Sequence, residues 1–148
     1  MNKQYGIATP TGFKPVIDDI LNLYKDSHRE TLVVSLQGDL GAGKTAFTQE
    51  LARSLGVVEV VTSPTFTIMK QYEIDNKDFD LMVHIDAYRI ESEEEVEPLH
   101  LESVFNRTKT VVCIEWPERI RSIIPQHSVE ILISIGENEV RQVSLSAD

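Results

Sequence analysis

Eight consecutive residues, Gly38-Asp39-Leu40-Gly41-Ala42-Gly43-Lys44-Thr45, carry the spacing G-x-x-x-x-G-K-[ST] of a phosphate-binding loop. The chemistry needs these residue types. Glycines let successive backbone N–H groups turn toward phosphate oxygens with no side chain in the way. A helix that follows the loop points its N-terminus at the same anion. Lys44 would reach the β- and γ-phosphates, and the Thr45 hydroxyl would ligate magnesium. At ordinary residue frequencies the four fixed positions match by chance in about 0.5% of chains of this length. A nucleotide site for ATP or ADP with Mg2+ is therefore the reading, rather than a fortuitous glycine turn.

Such a site usually needs a carboxylate at the end of a neighbouring strand, to hold the metal or orient water. Asp86 ends the run Leu81-Met82-Val83-His84-Ile85, and Glu115 ends Val111-Val112-Cys113-Ile114. Both would emerge where open α/β sheets bind ligands, at strand C-termini; a surface carboxylate at a strand end is the plainer alternative for each. His84 would share a strand face with Asp86, and for a lone histidine a structural role is the plainer reading. Trp116 either caps the core or lies beside the nucleotide. Arg89 either contacts phosphate or makes a structural ion pair. Glu91, Glu93, Glu94, Glu95 and Glu97 form an acidic run that reads as a solvated face, with docking of a basic partner as the alternative.

The surrounding elements are those that would position these groups. Phe13, Val16, Ile17, Ile20, Leu21 and Tyr24 recur at helical spacing, predicting an amphipathic helix from about Phe13 to Asp26. Thr31 to Leu36 reads as a buried strand leading into the glycine loop. Thr45 to Leu55 reads as a helix with Gly56 at its C-cap. Strands are expected over Thr65 to Ile74, from Leu81 to Ile85 and over Thr110 to Ile114, with a turn around Asn76-Lys77-Asp78. Ser92 and Glu95 have capping-box spacing. Val129, Ile131, Ile133 and Ile135 alternate with polar residues, and Val140 to Leu145 returns as a hairpin. The expected fold is α/β: a P-loop NTPase-like mixed β-sheet flanked by helices and ending in a β-hairpin.

At 148 residues, with 41% hydrophobic and 26% charged residues, the chain suits one domain, residues 1 to 148. The single cysteine, Cys113, lies in an apolar run and reads as a buried structural thiol. No apolar run nears the ~18 residues that span a bilayer, and the first ten residues lack a signal-peptide stretch; a cytoplasmic protein with no membrane partner is expected. The formal charge of −10 argues against DNA or a long phosphate-tracking surface. Any RNA is expected to be held by a partner.

Beyond the phosphate loop GDLGAGKT, three segments are distinctive: Ser63-Pro64-Thr65-Phe66-Thr67, His84-Ile85-Asp86-Ala87-Tyr88-Arg89 and Glu115-Trp116-Pro117. Together and in this order they resemble the SPTF, H-x-D-x-Y-R and E-W segments of the bacterial TsaE family, the ATPase of tRNA threonylcarbamoyladenosine biosynthesis. The resemblance spans roughly Gly38 to Pro117. Two positions depart from it: Ala46 stands where many members have a second threonine, and Leu99-His100 where the acidic segment usually leads into Leu-Gly. The resemblance implies an ATPase that supports, without performing, threonylcarbamoyl transfer to tRNA by TsaB and TsaD. It implies Thr45, Asp86 and Glu115 at the magnesium site, with Glu115 also positioning water, and a switch-like loop over Ser63 to Phe66. Nucleotide contacts are expected along Gly38 to Ala46, with Thr11 and Arg141 as further candidates from the N-terminal segment and the last hairpin.

Three other readings compete. A P-loop small-molecule kinase would need an acceptor pocket and usually a mobile basic lid, and no arginine-rich lid segment is present. A regulatory GTPase would need Asp where Asn76-Lys77-Asp78-Phe79 has Phe79. A nucleotide-dependent binding module with slow hydrolysis overlaps with the TsaE-like reading.

Overall fold

The computed structural model describes residues 1–64 and 67–147. Among the described residues seven strands form one sheet: β1 (Asn2–Ile7), β2 (Thr31–Gln37), β3 (Met69–Glu73), β4 (Leu81–Asp86), β5 (Thr110–Glu115), β6 (Val129–Ile135) and β7 (Arg141–Ser146). Their order is β1-β7-β6-β2-β5-β4-β3. The central four, β6, β2, β5 and β4, are parallel, and antiparallel pairs close both flanks. The P-loop-type mixed sheet ending in a β6–β7 hairpin is thus the observed fold.

The apolar runs end up where their pattern requires. Every residue of β5, and all of β2 but Gln37, is buried, as expected for parallel strands covered on both faces. Successive side chains serve opposite layers. Leu32, Val34 and Leu36 pack with Val16, Ile17 and Ile20 of α1 (Lys14–Ser27) and with Phe47 and Leu51 of α2 (Lys44–Leu55). Val33 packs instead with Val83, Ile85, Val112 and Ile114, beneath α3 (Leu101–Phe105) and two 3-10 segments, Glu93–Leu99 and Pro117–Ile123.

Local signals mark several boundaries. Gly56 ends α2 in the left-handed conformation, φ 91°. Ser92 and Glu95 form the expected capping box, but the segment it starts is 3-10 rather than α. The Asn76 side chain accepts a bond from the Asp78 N–H at 2.8 Å, making the turn before β4. Of the strand expected over Thr65 to Ile74, Met69–Glu73 is observed; Thr65 and Phe66 lie outside the described residues. Cys113 is fully buried, and burial pushes its thiol up to about 12, as befits a structural role. Among the described residues no helix is long and apolar enough to cross a membrane.

Candidate functional site

The loop between β2 and α2 crosses the C-terminal edge of the parallel strands, and two of its glycines answer to distinct demands. A Cβ on Gly38 would stand 2.5 Å from the Ile133 carbonyl oxygen of β6, so the strand-to-loop exit tolerates no side chain. Gly43 caps α2 at φ 118°, which L-residues rarely adopt. Among the described residues no side chain bonds to the cap, and the first turn of α2 has no acidic residue. The opening N–H groups of the helix are thereby left to an anion.

The Lys44 side chain folds back over the loop. Its ammonium donates to the Gly38 carbonyl and sits 3.7 Å from the centroid of the Trp116 ring. Burial pulls its pKa below the ordinary value, against the opposing pull of the carboxylates of Glu115, Glu118, Asp86 and Asp39. A cation held between a carbonyl and an aromatic face, and stripped of most of its water, is poised to exchange those partners for phosphate oxygens.

Asp86 and Glu115 are direct Cα partners across the parallel β4–β5 pair. Asp86 is oriented by two donors: the Ser63 hydroxyl at 2.8 Å and the Tyr88 N–H at 3.0 Å. Glu115 is buried and lies 2.6 Å from His84 Nε2. Trp116, next in the chain, takes a left-handed backbone (φ 59°, ψ 51°) and stacks at a tilt on Tyr88, ring centroids 5.0 Å apart. A non-glycine residue in this region marks stored strain of the kind that clusters at functional sites.

These groups converge. Lys44, Thr45, Ser63, Asp86, Glu115 and Trp116 all line one cavity of about 390 Å³, which Arg89 also lines. Its oxygen donors, the Thr45 hydroxyl and the two carboxylates, are the hard ligands that magnesium takes, so the residues present fit the implied ion. A second cavity of about 310 Å³ shares Gly43 and Ala46 with the first and is walled by Thr9, Pro10 and Arg141. Arg141 reaches the glycine loop, donating to the Gly41 carbonyl at 3.3 Å.

Of the sequence candidates, the loop, Lys44, Thr45, Asp86 and Glu115 come together. Arg141 joins them by way of the hairpin. Thr11 is exposed, with its hydroxyl 3.1 Å from that of Thr9, and it is Thr9 that lines the second cavity. Spacing alone does not single out Tyr88, whose N–H donates to Asp86 and whose ring packs on Trp116, or Thr9, which lines the second cavity.

The family described as "Threonylcarbamoyl adenosine biosynthesis protein TsaE" matches residues 16–143. A relative from Bacillus subtilis strain 168, named tRNA threonylcarbamoyladenosine biosynthesis protein TsaE, is 39% identical over 115 residues, covering 78% of this chain and 69% of the relative. One of the same name from Haemophilus influenzae is 35% identical over 126 residues, covering 84% and 76%. The structure titled "Crystal structure of Bacillus subtilus YdiB" superposes with a TM-score of 0.73 at 28% identity, covering 99% of this chain and 86% of that one. A match running from α1 into β7, around a phosphate loop whose lysine, threonine and two strand-end carboxylates share one cavity, places this chain in the TsaE family.

Proposed function

We propose that the protein is a magnesium-dependent ATPase of bacterial tRNA threonylcarbamoyladenosine biosynthesis, acting in the cytoplasm in support of TsaB and TsaD homologues. The observation that carries the ATPase reading is the shared cavity of Lys44, Thr45, Asp86 and Glu115 beneath an uncapped helix N-terminus. The pathway reading is supported by the names of the relatives, none of which, among those described above, is a kinase.

The chain's own groups divide the work. The loop amides from Gly38 to Thr45 cradle the phosphates. Lys44 leaves the Gly38 carbonyl and the Trp116 face to neutralise phosphate charge. Thr45 and Asp86 hold the metal side of the site, and Ser63 keeps the Asp86 carboxylate turned inward. Glu115 holds the metal or positions the attacking water. Magnesium, when bound, would draw charge from the phosphate oxygens. The second cavity, with Thr9, Ala46 and Arg141, takes the ribose and base end, since it continues the first at Gly43. With a formal charge of −10, the chain leaves tRNA mainly to its partners.

Calorimetry and phosphate release on the wild type and Lys44→Ala test this. Losing a charge-assisted bond costs about 1.5–3 kcal/mol, a fall of roughly 10–150-fold in ATP affinity, or hydrolysis fails altogether. Normal binding and normal phosphate release in the variant would refute the assignment.

A further inference from the structure

We infer that His84 is a positioning residue for the magnesium site: its Nε2–H holds the Glu115 carboxylate in the orientation that presents the other oxygen to the nucleotide cavity. The inference rests on the reading of Glu115 as a magnesium-site residue.

The strand register sets the geometry. On β4, His84 is the Cα partner of Cys113, and Asp86 is the partner of Glu115. Alternate residues share a face, so all four side chains project from the side of the sheet covered by α2. There the Thr48 hydroxyl of α2 lies 3.5 Å from Cys113 Sγ. His84 therefore lies one pleat below the Asp86–Glu115 pair, fully buried, with Nε2 2.6 Å from Glu115 Oε2.

The other ring nitrogen decides who donates. Nδ1 is buried and, among the described residues, has no hydrogen-bond partner. A proton there would be a buried donor with no acceptor, and a singly protonated ring would then set the Nε2 lone pair against a carboxylate oxygen. A proton on Nε2 makes a charge-assisted bond and leaves only a bare lone pair on Nδ1, the cheaper orphan. This bond commits Oε2 to the histidine, so Oε1 is the oxygen left for the cavity that Glu115 lines.

The test uses the full chain with His84→Gln and His84→Met. Glutamine can place an amide N–H near the position of Nε2. Methionine fills the buried space without a donor, and His84→Leu serves as a second donor-less variant should the methionine variant fail to fold. ADP affinity is measured by calorimetry in EDTA and in magnesium, with thermal melts alongside. We expect all variants to match the wild type in EDTA. In magnesium, the donor-less variant should lose ~10–100-fold of the metal-dependent tightening, the usual effect of removing a group that orients a metal ligand, while His84→Gln retains most of it. Full tightening in the donor-less variant, or equal loss in both, overturns the inference and leaves the ATPase reading intact. A wild type whose affinity is blind to magnesium overturns the metal role of Glu115 and this inference with it. A wild type that binds no ADP even in EDTA removes the nucleotide reading on which both stand.

Discussion

The Lys44 ammonium lies over the Trp116 ring, 3.7 Å from its centroid, on the wall of the cavity that both residues line. Contacts of this kind are worth about 0.5–2 kcal/mol depending on desolvation. Phosphate must compete for the same ammonium. Trp116 is the only tryptophan, so its emission should change when ATP or ADP with magnesium binds, and Lys44→Ala should abolish most of the change. A flat titration, where calorimetry shows binding, would mean that Lys44 keeps its place on the ring.

Asp86→Ala and Glu115→Ala should both impair hydrolysis, by different steps. Asp86 is held by two donors at the cavity wall and is less buried than Glu115, as suits a metal ligand. Its loss should raise the magnesium requirement. Losing Glu115 should raise that requirement too and, because Glu115 also positions water, leave turnover depressed at saturating magnesium while ATP still binds. Magnesium titrations of phosphate release distinguish the two, and wild-type turnover in either variant removes that residue from the site.

What the sequence revealed follows from where the physics is local. The glycine loop was legible because backbone geometry and phosphate chemistry restrict its residues. β2 and β5 were legible because burial on both faces demands an unbroken apolar run. β1 was not: of Asn2 to Ile7 only Ile7 is buried, and the strand exists because it pairs with β7. α3, five residues long, carries too little periodicity to be read. Asp86 and Glu115 were each legible as strand ends, but that they face one another depends on a register between segments about thirty residues apart. That Thr9 rather than Thr11 lines the second cavity depends on the local 3-10 turn at Pro10–Phe13, which no pattern announces.

His100 stands where the resembling family usually has glycine, and the backbone retains a glycine-like conformation, φ 51°, ψ 51°, between the 3-10 segment and α3. Left-handed geometry costs an L-residue roughly 1–2 kcal/mol. Glycine would relieve that, while the added freedom of the unfolded chain returns ~0.4–1 kcal/mol. His100→Gly should therefore stabilise the protein by up to about 1.6 kcal/mol. Urea midpoints at constant m-value measure it; a lower midpoint would show that the imidazole makes contacts worth more than the strain.

The isolated protein should hydrolyse ATP slowly, and a TsaB–TsaD complex should accelerate it. No arginine-rich lid is evident in the sequence to complete the site. Partners that supply or order a missing charge raise P-loop hydrolysis by roughly 10³–10⁵ when the charge is an arginine finger. The strongly acidic surface suits a basic docking face, though not through all the carboxylates of the acidic run. Glu95 is used by the capping box, and Glu93 accepts bonds from the Ser122 side chain and N–H. Glu91, Glu94 and Glu97 are exposed and suit a basic partner surface. Docking through them should weaken as salt screens it, and replacing the three with glutamine should weaken stimulation without altering ATP binding by the isolated chain. Steady-state phosphate release at two salt concentrations, with the partners added in turn, is the measurement. Turnover that the partners leave unchanged, or transfer of phosphate to a small metabolite, would defeat this reading in favour of a kinase.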